Sequence, residues 1–146
     1  MNFAKPWMPL TSSDGIETRV PVLDVLLRAA SGQFLRQVFV VDSGADVSTG
    51  PRHLCEVLGL DWSAGSPVQL RGISPREECV VQAMTHQLDV YIRDAACRLT
   101  IPFCFADGDA PLLLGRDGFF DAFLVQFDKL RQLTRFEMVT PDRPKL

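Results

Sequence analysis

The 146-residue chain has few of the residues that build metal centres, and those it has are poorly placed for one. Cys55, Cys79, Cys97 and Cys104 form no Cys-x-x-Cys pair, and His53 and His86 stand at no ligand spacing from them or from each other. Structural and catalytic zinc sites draw on closely spaced donors of these types, so no zinc site is expected. Asp107 and Asp109 flank Gly108, but the spaced oxygen ligands of a calcium loop are lacking, and solvated turn carboxylates are the expectation. No metal and no other cofactor is therefore anticipated. An even number of cysteines permits disulfides, yet the start of the chain mixes Lys5, Pro6 and Pro9 with no sustained apolar stretch of a secretory leader. Reduced, partly buried thiols in a cytoplasmic protein are the corresponding expectation. Also lacking is an apolar run of about 20 residues that could cross a bilayer. The net charge is −3 and the basic residues are dispersed, which leaves no electrostatic footprint for nucleic acid. No internal repeat or low-complexity segment stands out. What remains is one soluble domain, long enough to bury roughly 68–70% of its unfolded surface without a staple.

Against this plain background two segments carry chemistry. In Val38-Phe39-Val40-Val41-Asp42-Ser43-Gly44-Ala45-Asp46 an unbroken apolar strand ends on a carboxylate followed by a hydroxyl and a glycine. Asp-Ser-Gly alone is ordinary turn chemistry, because Asp and Ser bond nearby backbone and Gly accepts positive φ. The strand that delivers it, and the small residues that follow, make this turn unusual. Far downstream, Leu112-Leu113-Leu114 runs into Gly115-Arg116-Asp117 and then Gly118-Phe119-Phe120. A buried strand stopping at glycine, followed by a short helix with Phe119, Phe120 and Phe123 on its apolar face, is the expectation.

An apolar strand ending in Asp-Ser-Gly-Ala, paired with a later apolar strand ending in Gly-Arg-Asp before a helix, resembles the retropepsin-like aspartic proteases. The likeness spans residues 20–125 and the layout is similar to the small single-domain prokaryotic members. It implies an all-β fold, a retropepsin-like closed β domain (the acid-protease fold) with one or two short helices. It also implies roles: Asp42 as the catalytic carboxylate, Ser43 bracing the loop, Gly44 admitting substrate and a partner carboxylate, and Ala45 as the small residue beside them. An ion pair between Asp46 and Arg116, buried or half-buried within one subunit, and a flap at Gly72, Ile73 and Ser74 complete the implied set. Ser43 stands where Thr is more usual, keeping the hydroxyl and losing a methyl. The flap has one glycine where viral members often have several. Two carboxylates must share a proton in this chemistry, and like charges about 3 Å apart cannot both ionise. A chain with a single such loop must supply the second Asp from a second copy, so a homodimer acting on a peptide or protein substrate is implied. The competing expectation is a catalytically weak or inactive module that keeps the fold for dimerisation or peptide binding, since fold alone does not establish activity.

The rest of the chain is read as strands and turns. Residues 1–19 are expected to form an N-terminal extension, 20–140 the domain, and 141–146 a frayed tail. Val20 to Arg28 and Gln33 to Val41 flank Ser31-Gly32 as a hairpin feeding the Asp42 loop. Pro51 to Leu58 reads as a short helix stopped by Gly59. Val68 to Leu70 and Cys79 to Met84 would be the arms of the flap hairpin. Leu88 to Arg93 with Cys97 to Phe105, and Phe123 to Phe127 with Leu133 to Val139, read as further strand pairs.

Overall fold

A computed structural model describes residues 2–70 and 81–139. The chain is mostly β, and a sheet of seven strands dominates it. Strand β4 (Val22–Arg28) and strand β5 (Phe34–Val41) form the expected hairpin, in register from Val22 opposite Val40 to Arg28 opposite Phe34. Gly32 sits at φ +88° in its turn, a conformation that favours glycine. Alternation along β4 sends Leu23, Val25 and Leu27 into the core while Asp24 pairs with Arg36 across the outer face.

Strand β6 (Ser48–Pro51) follows the Asp42 loop and leads into helix α1 (Arg52–Val57). Pro51 at its threshold costs nothing, since the first turn has no intrahelical partner for an N–H. Leu54, Cys55 and Leu58 are buried, and Val57 is exposed. Strand β7 (Ser66–Leu70) then pairs with β8 (Val81–Ile92), and β8 with β9 (Cys97–Ala106). Here the sequence reading divided one element into two. Thr85, His86 and Gln87 look like a polar break, but each continues the ladder opposite Cys104, Phe103 and Pro102. Strand β4 also pairs with β8 at Leu26–Tyr91 and Leu27–Val90, so the sheet returns to its own first strand.

The short strand β10 (Leu113–Leu114) lies between β5, to which it is parallel, and β6. The segment after it is not the regular helix expected. Arg116–Phe120 forms a tight turn broken at Asp117 and Gly118, and Phe123 already belongs to β11 (Phe123–Asp128). Gly118 explains the break. Its φ is +86°, and a Cβ there would stand 2.7 Å from Ile101 Cγ2, so the backbone turns where a helix would push a side chain into β9.

The beginning of the chain also differs from the reading. Strand β1 (Asn2–Pro6) pairs with β12 (Leu133–Met138), which pairs with β11, giving a three-stranded sheet. Phe3 stacks on Phe136 with ring centroids 4.8 Å apart. Trp7 is buried, donating its indole N–H to Thr134 Oγ1 at 2.8 Å. Residues expected to form an extension thus seal the domain's aromatic core, where Phe119, Phe123 and Phe136 are fully buried. Between β1 and β4 a two-stranded ribbon, β2 (Met8–Thr11) with β3 (Glu17–Val20), stands out from the body. Among the described residues no helix is long and apolar enough to cross a membrane.

Candidate active site

The two segments singled out in the sequence meet in space because β10 inserts between the strands that flank the Asp42 loop. Val40 donates its N–H to the Leu112 carbonyl and Asp42 its N–H to the Leu114 carbonyl, both at 3.0 Å. Beyond the strands the two loops remain stitched together. Arg116 N–H donates to Ala45 O and Asp117 N–H to Asp46 O, each at 2.9 Å. These bonds satisfy backbone groups that would otherwise be orphaned at the strand ends.

Asp42 is half-buried at the tip of β5. Its Oδ1 accepts the Gly44 N–H at 2.8 Å, which fixes the carboxylate's orientation relative to the loop. A Cβ on Gly44 would lie 3.1 Å from that same oxygen, tighter than an ordinary contact. Glycine here keeps the approach to the carboxylate open. Ser43 and Gly44 are exposed, and Ala45 is half-buried beside them.

Arg116 reaches back over the loop. One guanidinium nitrogen donates to the Ser43 carbonyl at 3.0 Å and the other contacts the Asp46 carboxylate. The pair is not buried as expected: the Arg116 side chain is 51% exposed and that of Asp46 83%. Among the described residues both side chains are exposed. An exposed ion pair contributes about 0–1 kcal/mol, so the guanidinium matters more as a clamp on the Ser43 carbonyl than as a source of stability.

Two contributors were not singled out in the sequence. Ser48 is fully buried and its Oγ accepts the Gly115 N–H at 3.0 Å. Gly115 itself runs so close to the backbone of Val47 that an added Cβ would overlap its carbonyl carbon and oxygen. Thr49 Oγ1 donates to the Pro111 carbonyl at 3.0 Å. The signal was a pair of adjacent hydroxyls entering a strand, where apolar residues would be usual. Buried Ser and Thr imply nearby backbone partners.

Gly72, Ile73 and Ser74 lie outside the described residues. The flanking strands are described and pair antiparallel, from Ser66–Thr85 to Leu70–Val81. Val68, Leu70 and Val81 pack with Val47 around buried Ala83, Cys104, Ala106 and Ala110. The paired ends of β7 and β8 are therefore tied to the loop that carries Asp42. Asp107 and Asp109 stand in a turn, with Asp107 Oδ1 4.0 Å from Arg52 Nη1. Cys55, Cys97 and Cys104 are free thiols whose pKa values are raised by burial, which suits packing rather than nucleophilic work.

No protein-family model and no curated protein matches the sequence. Among solved structures, a retropepsin-like aspartic protease from Rickettsia conorii matches with a TM-score of 0.56 over 93% of this chain and 92% of that one, at 18% identity. The chain thus has the retropepsin-like fold.

Proposed function

We propose that the protein is a homodimeric aspartic endopeptidase whose site is assembled from two copies of the Asp42 loop. The observation that carries this reading is the half-buried Asp42 carboxylate, oriented by Gly44 N–H in a loop clamped by Gly115, Arg116 and Asp117. A rigid carboxylate at the exposed end of a strand is what a two-fold dyad requires, because its partner must approach within about 3 Å. One Asp42 acts as general base on a water held between the carboxylates, while the protonated partner polarises the scissile carbonyl. The proton lost by water moves to the base as the carbonyl oxygen takes up charge. Ser43 braces the loop across the interface, and Gly44 leaves its backbone open to an extended substrate. The hairpin of β7 and β8 covers that substrate as a flap and excludes water.

The other reading is a retropepsin-fold module that dimerises or binds peptides without turnover. One experiment separates them. The purified protein and its Asp42→Asn variant are incubated with a peptide library at acidic and neutral pH, and products are identified by mass. Cleavage by the wild type and none by the variant, with unchanged fold and dimer, supports the peptidase. Binding of peptides without cleavage by either protein supports the module.

A further inference from the structure

The ribbon of β2 and β3 carries an apolar face that is largely exposed among the described residues. Cross-strand register puts Met8 opposite Val20 and Leu10 opposite Thr18 on one face, with Pro9–Arg19 and Thr11–Glu17 on the other. Met8 is 47% exposed, Leu10 54%, and Ile16 at the tip 60%. A lone two-stranded hairpin is marginal in water, yet this one is carefully closed: Ser12 N–H donates to Ile16 O at 2.9 Å, and the Ser12 hydroxyl engages Asp14.

Its root lies at the catalytic end of the sheet. Strand β4 begins opposite the last residues of β5, and the Pro21 carbonyl accepts the N–H of Val41, the residue before Asp42. What precedes Pro21 therefore starts at the Asp42 end. The other root is Trp7, whose backbone N–H donates to Gln132 O at 2.9 Å and whose ring lies under the Lys129 ammonium. That anchors the ribbon beside the β11–β12 turn, where Leu130 is 89% exposed. The turn is held rigid by Asp128, which accepts the Arg131 N–H at 2.9 Å. Exposed apolar side chains thus occur along the ribbon and at the turn beside its root, and concentrations of such side chains mark interaction surfaces.

We propose that this ribbon is a dimerisation arm, and that its apolar face packs against a second copy of the chain beside the Asp42 dyad. The inference rests on the dimeric reading above. Two points favour a second copy as the occupant. The ribbon is rooted at Pro21, whose carbonyl accepts the N–H of Val41 beside Asp42, so it leaves the body next to the carboxylate that would meet its partner at the two-fold axis. Finally, an apolar face without a dominant charge is complementary to itself, as an isologous contact demands.

The test is sedimentation of full-length protein over a concentration series, with circular dichroism to confirm folding. Leu10→Lys combined with Ile16→Lys places charge on the arm's apolar side and tip at exposed sites, so folding is retained. The dimer dissociation constant should rise by at least about tenfold, while Thr11→Lys on the opposite face leaves it unchanged. An unaltered constant in the double variant overturns the arm. If that variant still dimerises but cleaves long peptides poorly, the ribbon faces substrate and the proposal fails while the dyad stands. A wild-type protein that stays monomeric at high concentration overturns both. Wild-type dimers without peptidase activity, weakened by the double variant, would leave the arm standing and remove the dyad.

Discussion

At the scale of single residues, Arg116 would separate stability from the proposed activity. It bonds a loop carbonyl and an exposed carboxylate, so Arg116→Ala should cost no more than about 1 kcal/mol of stability. In a chain of this length that lowers Tm by only about 2–4 °C. Peptide cleavage should fall much further, by roughly tenfold or more, because the Ser43 carbonyl loses its clamp and the Asp42 loop loosens. Calorimetry and initial rates on the same preparation check both halves. A collapse in Tm would mean that the guanidinium is buried in the working assembly. Glycines offer a sharper contrast. Gly118 and Gly108 both have positive φ, but a Cβ at Gly118 meets Ile101 at 2.7 Å whereas at Gly108 it meets nothing within 4 Å. Gly108→Ala should cost about 1 kcal/mol from backbone strain alone. Gly118→Ala adds overpacking of about 1–3 kcal/mol, and urea denaturation of the two variants reads the difference.

At the scale of elements, the β11–β12 turn carries the clearest pH dependence. Asp128 accepts the Arg131 N–H and ion-pairs with Arg131 and Arg135. These contacts lower its pKa from 3.8 to about 2, the backbone hydrogen bond contributing most. A carboxyl whose folded pKa lies below its unfolded value stabilises the fold fully above the unfolded value and loses that contribution as pH falls through the folded one. The turn should therefore weaken between about pH 4 and pH 2. Asp128→Asn should flatten the stability profile in that window, and a profile identical to wild type would show that the turn contributes nothing. Which elements were legible in the sequence follows from where their partners lie. The β4–β5 hairpin and the Asp42 loop were readable because apolar alternation and Ser31-Gly32 are local signals. Strand β1 was not, because Lys5 and Pro6 look unstructured until Phe3 meets Phe136 at the far end of the chain. Strand β8 was cut short because Thr85 to Gln87 are polar, and only their long-range pairing with β9 keeps them in the ladder. At the site, Asp42, Gly115 and Arg116 announced themselves by motif, whereas Ser48 and Thr49 act through contacts with a distant segment that only the fold brings close.

At the scale of the whole molecule, the proposed peptidase would make activity a property of two chains, each supplying one Asp42 loop. A site built from both should respond to mixing in a way that a site built from one cannot. Wild-type and Asp42→Asn chains, equilibrated at fixed total concentration, assort at random if the substitution leaves the interface intact. With equal amounts of each, about a quarter of the dimers carry two Asp42 side chains, so the rate should drop to about a quarter of the all-wild-type value. An active monomer would give about half. Dilution below the dimer dissociation constant should likewise lower the rate per chain. In the proposed dyad the shared proton would add a second signature, because only the singly protonated pair has both a base and an acid. Cleavage should rise and then fall with pH, losing the base at low pH and the acid at high pH. Measuring the rate on one peptide across pH, with sedimentation at each point to hold dimer content in view, separates loss of chemistry from loss of assembly. A rate that climbs steadily into the alkaline range, or one that halves on mixing, would rule out the shared dyad.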